Sequence, residues 1–174
     1  LVDETINKKK YYSNKFLATK NLIHCMKKNN LNNLIFSSTA AIYQFSNQKL
    51  SEKSKIYPKS TYAKTKLQCE KIIKNSKLNS VVLRFFNVCS SLNLKKKIIG
   101  ELHNPETHLI PTIVYKNLNR KKVYIYGKNY KTKDGSCMRD YVHIKDICIA
   151  IEKSLSFLSV NKNKFETINI GSSS

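Results

Sequence analysis

Leu34-Ile35-Phe36-Ser37-Ser38-Thr39 is a short apolar run that ends in three hydroxyls, and Tyr62-Ala63-Lys64-Thr65-Lys66 begins 23 residues after Thr39. A continuous apolar run between helical stretches is what a strand buried on both faces of a parallel sheet looks like. Thr61 reads as the cap of a helix over about residues 62–75. Ser80-Val81-Val82-Leu83-Arg84-Phe85-Phe86, rich in β-branched and aromatic residues, reads as the next strand. Strand, helix and strand in that order predict a parallel pair joined by a right-handed crossover, hence an α/β sheet.

Working outward, Tyr12, Phe16, Thr19, Leu22, Ile23 and Met26 recur at helical spacing, so a helix is expected over about residues 7–28. Residues 44–60 are polar, carry Pro58 and read as a loop. Residues 88–108, with Gly100 and Pro105, read as irregular. A helix over Pro111 to Leu118, a strand over Val123 to Tyr126 and a polar loop through Asp134-Gly135 follow. A helix near His143 to Leu158 and a strand over Thr167 to Ile170 complete the pattern. There is no internal repeat and no low-complexity linker.

The formal charge of +21 points at first to a polyanionic partner. Only three of the 32 basic residues are arginines (Arg84, Arg120, Arg139), and the other 29 are lysines. Bidentate recognition of phosphates and bases favours arginine. The lysines are spread through every segment beside 19 asparagines, so a solvated basic surface is expected rather than nucleic-acid binding. No apolar run approaches a membrane span, and no signal peptide opens the chain. Cys25, Cys69, Cys89, Cys137 and Cys148 are odd in number and scattered, with no CxxC pair. This argues for a reducing compartment, against a disulfide framework and against a zinc site; no metal is expected.

Tyr62 and Lys66 are four apart, so on a helix the phenol and the ammonium share one face. A nearby cation favours the phenolate and brings tyrosine toward the range of a general base. The spacing alone is weak evidence. With ten Tyr and 29 Lys in 174 residues, chance supplies between one and two such pairs, and four occur: Tyr11–Lys15, Tyr62–Lys66, Tyr124–Lys128 and Tyr141–Lys145. Context singles out Tyr62, which opens a helix downstream of hydroxyls at the carboxyl end of a predicted strand. Ligands of open parallel sheets bind outside those ends. Thr39 also reads as an ordinary cap or turn residue.

Phe36-Ser37-Ser38-Thr39-Ala40-Ala41-Ile42-Tyr43, Pro58, Tyr62 to Lys66, Glu70 and Leu83-Arg84-Phe85-Phe86-Asn87 together resemble the UDP-glucose 4-epimerase family of extended short-chain dehydrogenases/reductases. Gly100-Glu101, residues 104–111 (Asn104 to Pro111), Tyr126-Gly127, Thr132, Asp134-Gly135 and Arg139-Asp140-Tyr141-Val142-His143 continue the same ordered series. The resemblance implies that Tyr62 is the base, Thr39 its hydrogen-bonding partner, and Lys66 the residue that holds the nicotinamide ribose. It implies that Asn14 and Phe86 contact NAD, and that Asn87, His108, Leu109, Tyr124, Tyr126 and Arg139 lie along a UDP-sugar together with Thr39 and Tyr62. Arg139 is a permanently charged fork suited to a diphosphate, or it pairs with Asp140. Four departures stand out: Thr39 where Ser is frequent, Gln44 where Gly is usual, Val88 for Pro, and Lys15 for a second Asn. Gln44 puts the local turn in question.

The expected fold is therefore α/β, a Rossmann-like doubly wound parallel sheet lacking its N-terminal half, with part of a smaller substrate-binding region. Residues 1–87 are expected to form the NAD-binding part with the catalytic pair, 88–140 the nucleotide-sugar region, and 141–174 the helix and strand that return to the sheet. The glycine-rich loop that seats a pyrophosphate does not occur in the 174 residues. The implied activity is NAD-dependent epimerisation of a UDP-sugar at C4, in a cytoplasmic protein that forms a homodimer when full-length. A relative acting on UDP-pentoses, UDP-hexuronates or UDP-N-acetylhexosamines, or an inactive truncated paralogue, is the alternative.

Overall fold

The computed structural model describes residues 8–46, 48–95, 97–101 and 103–172. Its first helix runs as α1 (Lys8–Tyr11), widens into a π-helical turn over Tyr12–Leu17, and continues as α2 (Ala18–Lys28). Residue 7, where the sequence placed its start, lies outside the described residues. Thr19, Ile23 and Met26 of the expected stripe are buried, but Tyr12 and Leu22 remain 45% and 49% exposed. Five residues per hydrogen-bonded step rotate Tyr12 off the stripe, and Leu22 sits about a quarter-turn round from Ile23.

Strands β1 (Asn33–Thr39) and β2 (Asn79–Phe85) pair in parallel, from Asn33 opposite Asn79 to Thr39 opposite Phe85. Between them run a 3₁₀ turn over Ala40–Ile42 and helix α3 (Thr61–Ser76). Ser60, not Thr61, caps α3, its hydroxyl accepting the Ala63 N–H at 3.0 Å. The helix stops at Lys77, which is left-handed with φ 61°. Gln44 is not among the left-handed residues, and its N–H donates to Lys55 O at 2.8 Å. The missing glycine therefore costs the turn nothing.

Residues 88–108 are more regular than expected. β3 (Asn87–Cys89), β4 (Leu92–Leu94) and β5 (Lys97–Ile99) precede α4 (Leu109–Leu118), and β4 and β5 form an antiparallel hairpin. β6 (Tyr141–His143), which the sequence left in a loop, pairs in parallel with β3. The expected strand over Val123 to Tyr126 does not form. Its residues have strand propensity but no neighbouring strand among the described residues, and propensity without a ladder makes no strand. α5 (Ile144–Val160) and β7 (Phe165–Ile170) close the fold, with β7 parallel to β2 in the order β1-β2-β7.

The main sheet is covered on both faces. Leu34 and Phe36 meet Ile23 and Met26 of α2 and Ile73 of α3. Ile35, Val81, Leu83 and Phe85 meet Ile151 and Leu158 of α5. Alternation along each strand divides the side chains between the two layers, which is the doubly wound α/β arrangement. No helix among the described residues is long and apolar enough to cross a membrane.

Candidate active site

The carboxyl end of β1 delivers Thr39 into extended backbone at the start of the 3₁₀ turn, where Oγ1 accepts the Ala41 N–H at 3.2 Å. Thr39 is thus a cap, and its hydroxyl is also near enough to the Tyr62 phenol to favour the ionised form. Tyr62 lies in the first turn of α3, and Lys66 one turn on sends its Nζ to Ser37 O at 2.7 Å. The ammonium also sits 4.8 Å from the Phe36 ring and 5.9 Å from the Tyr62 ring. Thr39, Tyr62 and Lys66 therefore converge where a parallel sheet presents ligands.

The first helix flanks this site at the junction of α1 and the π-helical turn. Tyr11 packs edge-on against Tyr62 with ring centroids 6.3 Å apart, and Asn14 stands exposed on the same turn. Of the four Tyr–Lys pairs, Tyr124–Lys128 lies in non-helical chain and Tyr141–Lys145 straddles β6 and α5. Tyr11–Lys15 neighbours Tyr62 and Lys66.

One electrostatic expectation is overturned. Burial pushes the Tyr62 phenol above its ordinary value, and the nearby Thr39 hydroxyl only partly opposes this. Burial also pulls Lys66 below the usual lysine range, helped by the nearby Lys15 charge. The cation is engaged by the Ser37 carbonyl, and desolvation of the part-buried phenol decides the direction.

Beneath the site lies a polar network whose role sequence reasoning did not assign, although Glu70, Arg84 and Tyr43 all carried the resemblance. Arg84 Nη2 and Nε donate to the Glu70 carboxylate at 2.7 and 3.1 Å, and Nη1 donates to Tyr43 Oη at 2.7 Å. Ser38 Oγ donates to Glu70, and Tyr43 Oη donates to Asn169 at 2.7 Å. Burial draws the Arg84 guanidinium down, but hydrogen bonds to Glu70 and Tyr43 outweigh it and hold the charge. The network ties β1, the 3₁₀ turn, α3, β2 and β7 together directly under Thr39. An arginine inside an apolar strand opposite a helical glutamate was the available signal.

The remaining candidates are placed along one side. Phe86 follows β2, its N–H donating to Ile170 O at 3.1 Å. Asn87 Nδ2 donates to Asp140 O at 2.9 Å. Gly171 lets the chain pass close beside them, since a Cβ there would press on the Asp140 carboxylate and approach the Phe86 ring to 3.3 Å. His108 precedes α4 with Nδ1 3.0 Å from Glu106, and Leu109 is exposed. Tyr124 lies under Lys116 Nζ at 5.2 Å, and Tyr126 is open to solvent. Arg139 is exposed and donates to Met138 O at 2.9 Å; the alternative ion pair with Asp140 does not occur. No hydrogen bond among the described residues joins His108, Leu109, Tyr124, Tyr126 or Arg139 to Thr39, Tyr62 or Lys66. A groove of about 300 Å³ lies between Phe45-Ser46 and residues 129–132 with Met138, and none of the catalytic candidates lines it.

The geometry has counterparts in known proteins. The chain is 37% identical over 157 residues to a UDP-glucose 4-epimerase of Halalkalibacterium halodurans, covering 86% of the chain and 46% of the relative. It is 37% identical over 184 residues to a UDP-glucose 4-epimerase of Mycoplasma genitalium, covering 98% and 52%. The crystal structure of UDP-glucose 4-epimerase from Brucella ovis in complex with NAD superposes with a TM-score of 0.88 at 32% identity, over 98% of this chain and 54% of that one. The chain thus spans about half the length of the curated relatives it matches. The model of the NAD dependent epimerase/dehydratase family matches residues 2–171, and with a Tyr/Lys pair at the end of a parallel strand the chain belongs to that family.

Proposed function

We propose that the full-length protein carrying this chain interconverts UDP-glucose and UDP-galactose by NAD-dependent epimerisation at C4. The observation that carries this reading is the convergence of Thr39, Tyr62 and Lys66 at the carboxyl end of β1. Their donors suit a nicotinamide ribose and a sugar hydroxyl: an ammonium with three protons, a phenol, and a hydroxyl that both donates and accepts. Tyr62 takes the proton of the sugar 4-hydroxyl, and Thr39 hydrogen-bonds the same oxygen and helps pass that proton. Lys66 leaves the Ser37 carbonyl for the ribose and stabilises the phenolate. NAD, when bound, supplies the acceptor and donor of a hydride for the sugar carbon. Asn14 and Phe86 hold the dinucleotide, while residues 88–140 hold the nucleotide-sugar through Asn87 at their border, His108, Leu109, Tyr124, Tyr126 and Arg139.

The names of the relatives support this reading, and the five free thiols support a cytoplasmic location. The exposed faces of α2 and α3 serve a homodimer, which light scattering on the full-length protein tests. In that protein Tyr62→Phe should cut epimerisation roughly a hundred- to ten-thousandfold and leave NAD bound. Near-normal turnover in Tyr62→Phe, with turnover lost in Tyr141→Phe, would assign the base to the wrong tyrosine.

A further inference from the structure

We propose that, when no nucleotide-sugar occupies His108, Glu101, His103 and His108, on the loop between β5 and α4, bind a divalent transition-metal ion of zinc-like preference. One ligand atom from each lies within 4.8 Å of the others. The Glu101 carboxylate meets His103 Nε2, and the His103 and His108 rings are 4.9 Å apart. A second observation concerns how His108 is held. Glu106 Oε1 accepts the His108 backbone N–H at 2.7 Å and faces its Nδ1 at 3.0 Å. A carboxylate there favours the proton on Nδ1 and so leaves Nε2 as the ligand atom, the supporting arrangement of metal-bound histidines.

Two imidazoles and one carboxylate suit zinc and its neighbours, whereas magnesium and calcium take all-oxygen shells. Zinc bonds of about 2.1 Å place tetrahedral ligand atoms roughly 3.4 Å apart, so the loop must close by about an ångström. All three ligands are exposed, so side-chain rotation supplies this movement and water fills the open positions. The ligands lie within eight residues of sequence, which keeps the entropy of closing the loop small. The expectation that no metal binds weighed cysteine spacing, and these donors meet only because the loop folds back before α4.

The test is calorimetric titration of zinc into full-length protein freed of metal, with cobalt spectra as a second readout and metal binding rather than turnover as the measure. One zinc per chain is expected. His103→Ala and Glu101→Gln should each weaken it at least about tenfold, Glu106→Gln about tenfold, and His24→Ala not at all. Melting temperatures without metal should match wild type, since Glu101 and His103 are exposed. Equal zinc affinity in wild type, His103→Ala and Glu101→Gln, or equal loss in His24→Ala, would overturn the proposal.

Discussion

At the scale of single residues, Tyr62 shows how location sets chemistry. Its phenol is held above its usual 10.0 by burial, so the folded state keeps the proton longer than the unfolded chain does. Stability from this group is complete below about pH 10 and is lost as pH rises through the folded value. Lys66 has the opposite sign: depressed in the fold, it contributes stability above the ordinary lysine range that is lost as pH falls through its folded value. Melting temperatures of full-length wild type and Tyr62→Phe from about pH 8 to about pH 11 should therefore diverge, with wild type falling more steeply. Parallel alkaline limbs would show that Tyr62 is not the buried phenol described here. That Tyr62 and Lys66 share one helix face was legible in sequence, because i and i+4 on a helix lie together. Their proton affinities were not, because desolvation depends on which elements cover them.

Between elements, the Glu70–Arg84 pair decides how firmly β1, β2 and α3 hold Thr39 and Tyr62 in register. Both side chains are almost fully buried, at 4% and 5% exposure. Removing one partner from such a pair strands a charge and costs about 3–5 kcal/mol. Arg84→Leu should therefore lower the urea midpoint of the full-length protein sharply. The double variant Glu70→Leu with Arg84→Met should regain most of the loss, because an apolar pair of similar volume needs no counter-charge. A single-variant loss below about 1 kcal/mol would mean that solvent screens the pair. Other elements did not follow their local signal. Val123 to Tyr126 has the composition of a strand and remains unpaired, whereas Tyr141–His143, with a weaker signal, becomes β6 because β3 lies beside it.

For the whole molecule, the surface itself is informative. The chain exposes 13587 Å², whereas a compact monomer of its 20.1 kDa exposes roughly 8700 Å². Large apolar side chains contribute, among them Tyr126 at 88%, Leu118 at 77% and Ile98 at 75% exposed. Among the described residues β1 pairs only with β2, so its outer edge is bare, and a bare edge templates aggregation. Residues 1–174 made alone should aggregate, melt without a sharp transition, gain nothing from NAD and epimerise no UDP-sugar. A soluble monomer with a cooperative melt that NAD raises would show the isolated chain to be a sufficient folding unit.

From sequence alone came the parallel strands β1 and β2, helices α3 and α5, the Tyr62/Lys66 pair and the family resemblance. The strands and helices rest on periodicity within short stretches, whereas the Tyr62/Lys66 pair and the resemblance rest on an ordered series of motifs along the chain. The tertiary structure alone decided the packing of Tyr11 against Tyr62, the partners of Arg84, the pairing of β6 and the meeting of Glu101, His103 and His108. Those depend on contacts between residues far apart in the chain, or on how a loop folds back. Burial and strand pairing exist only once such contacts have formed.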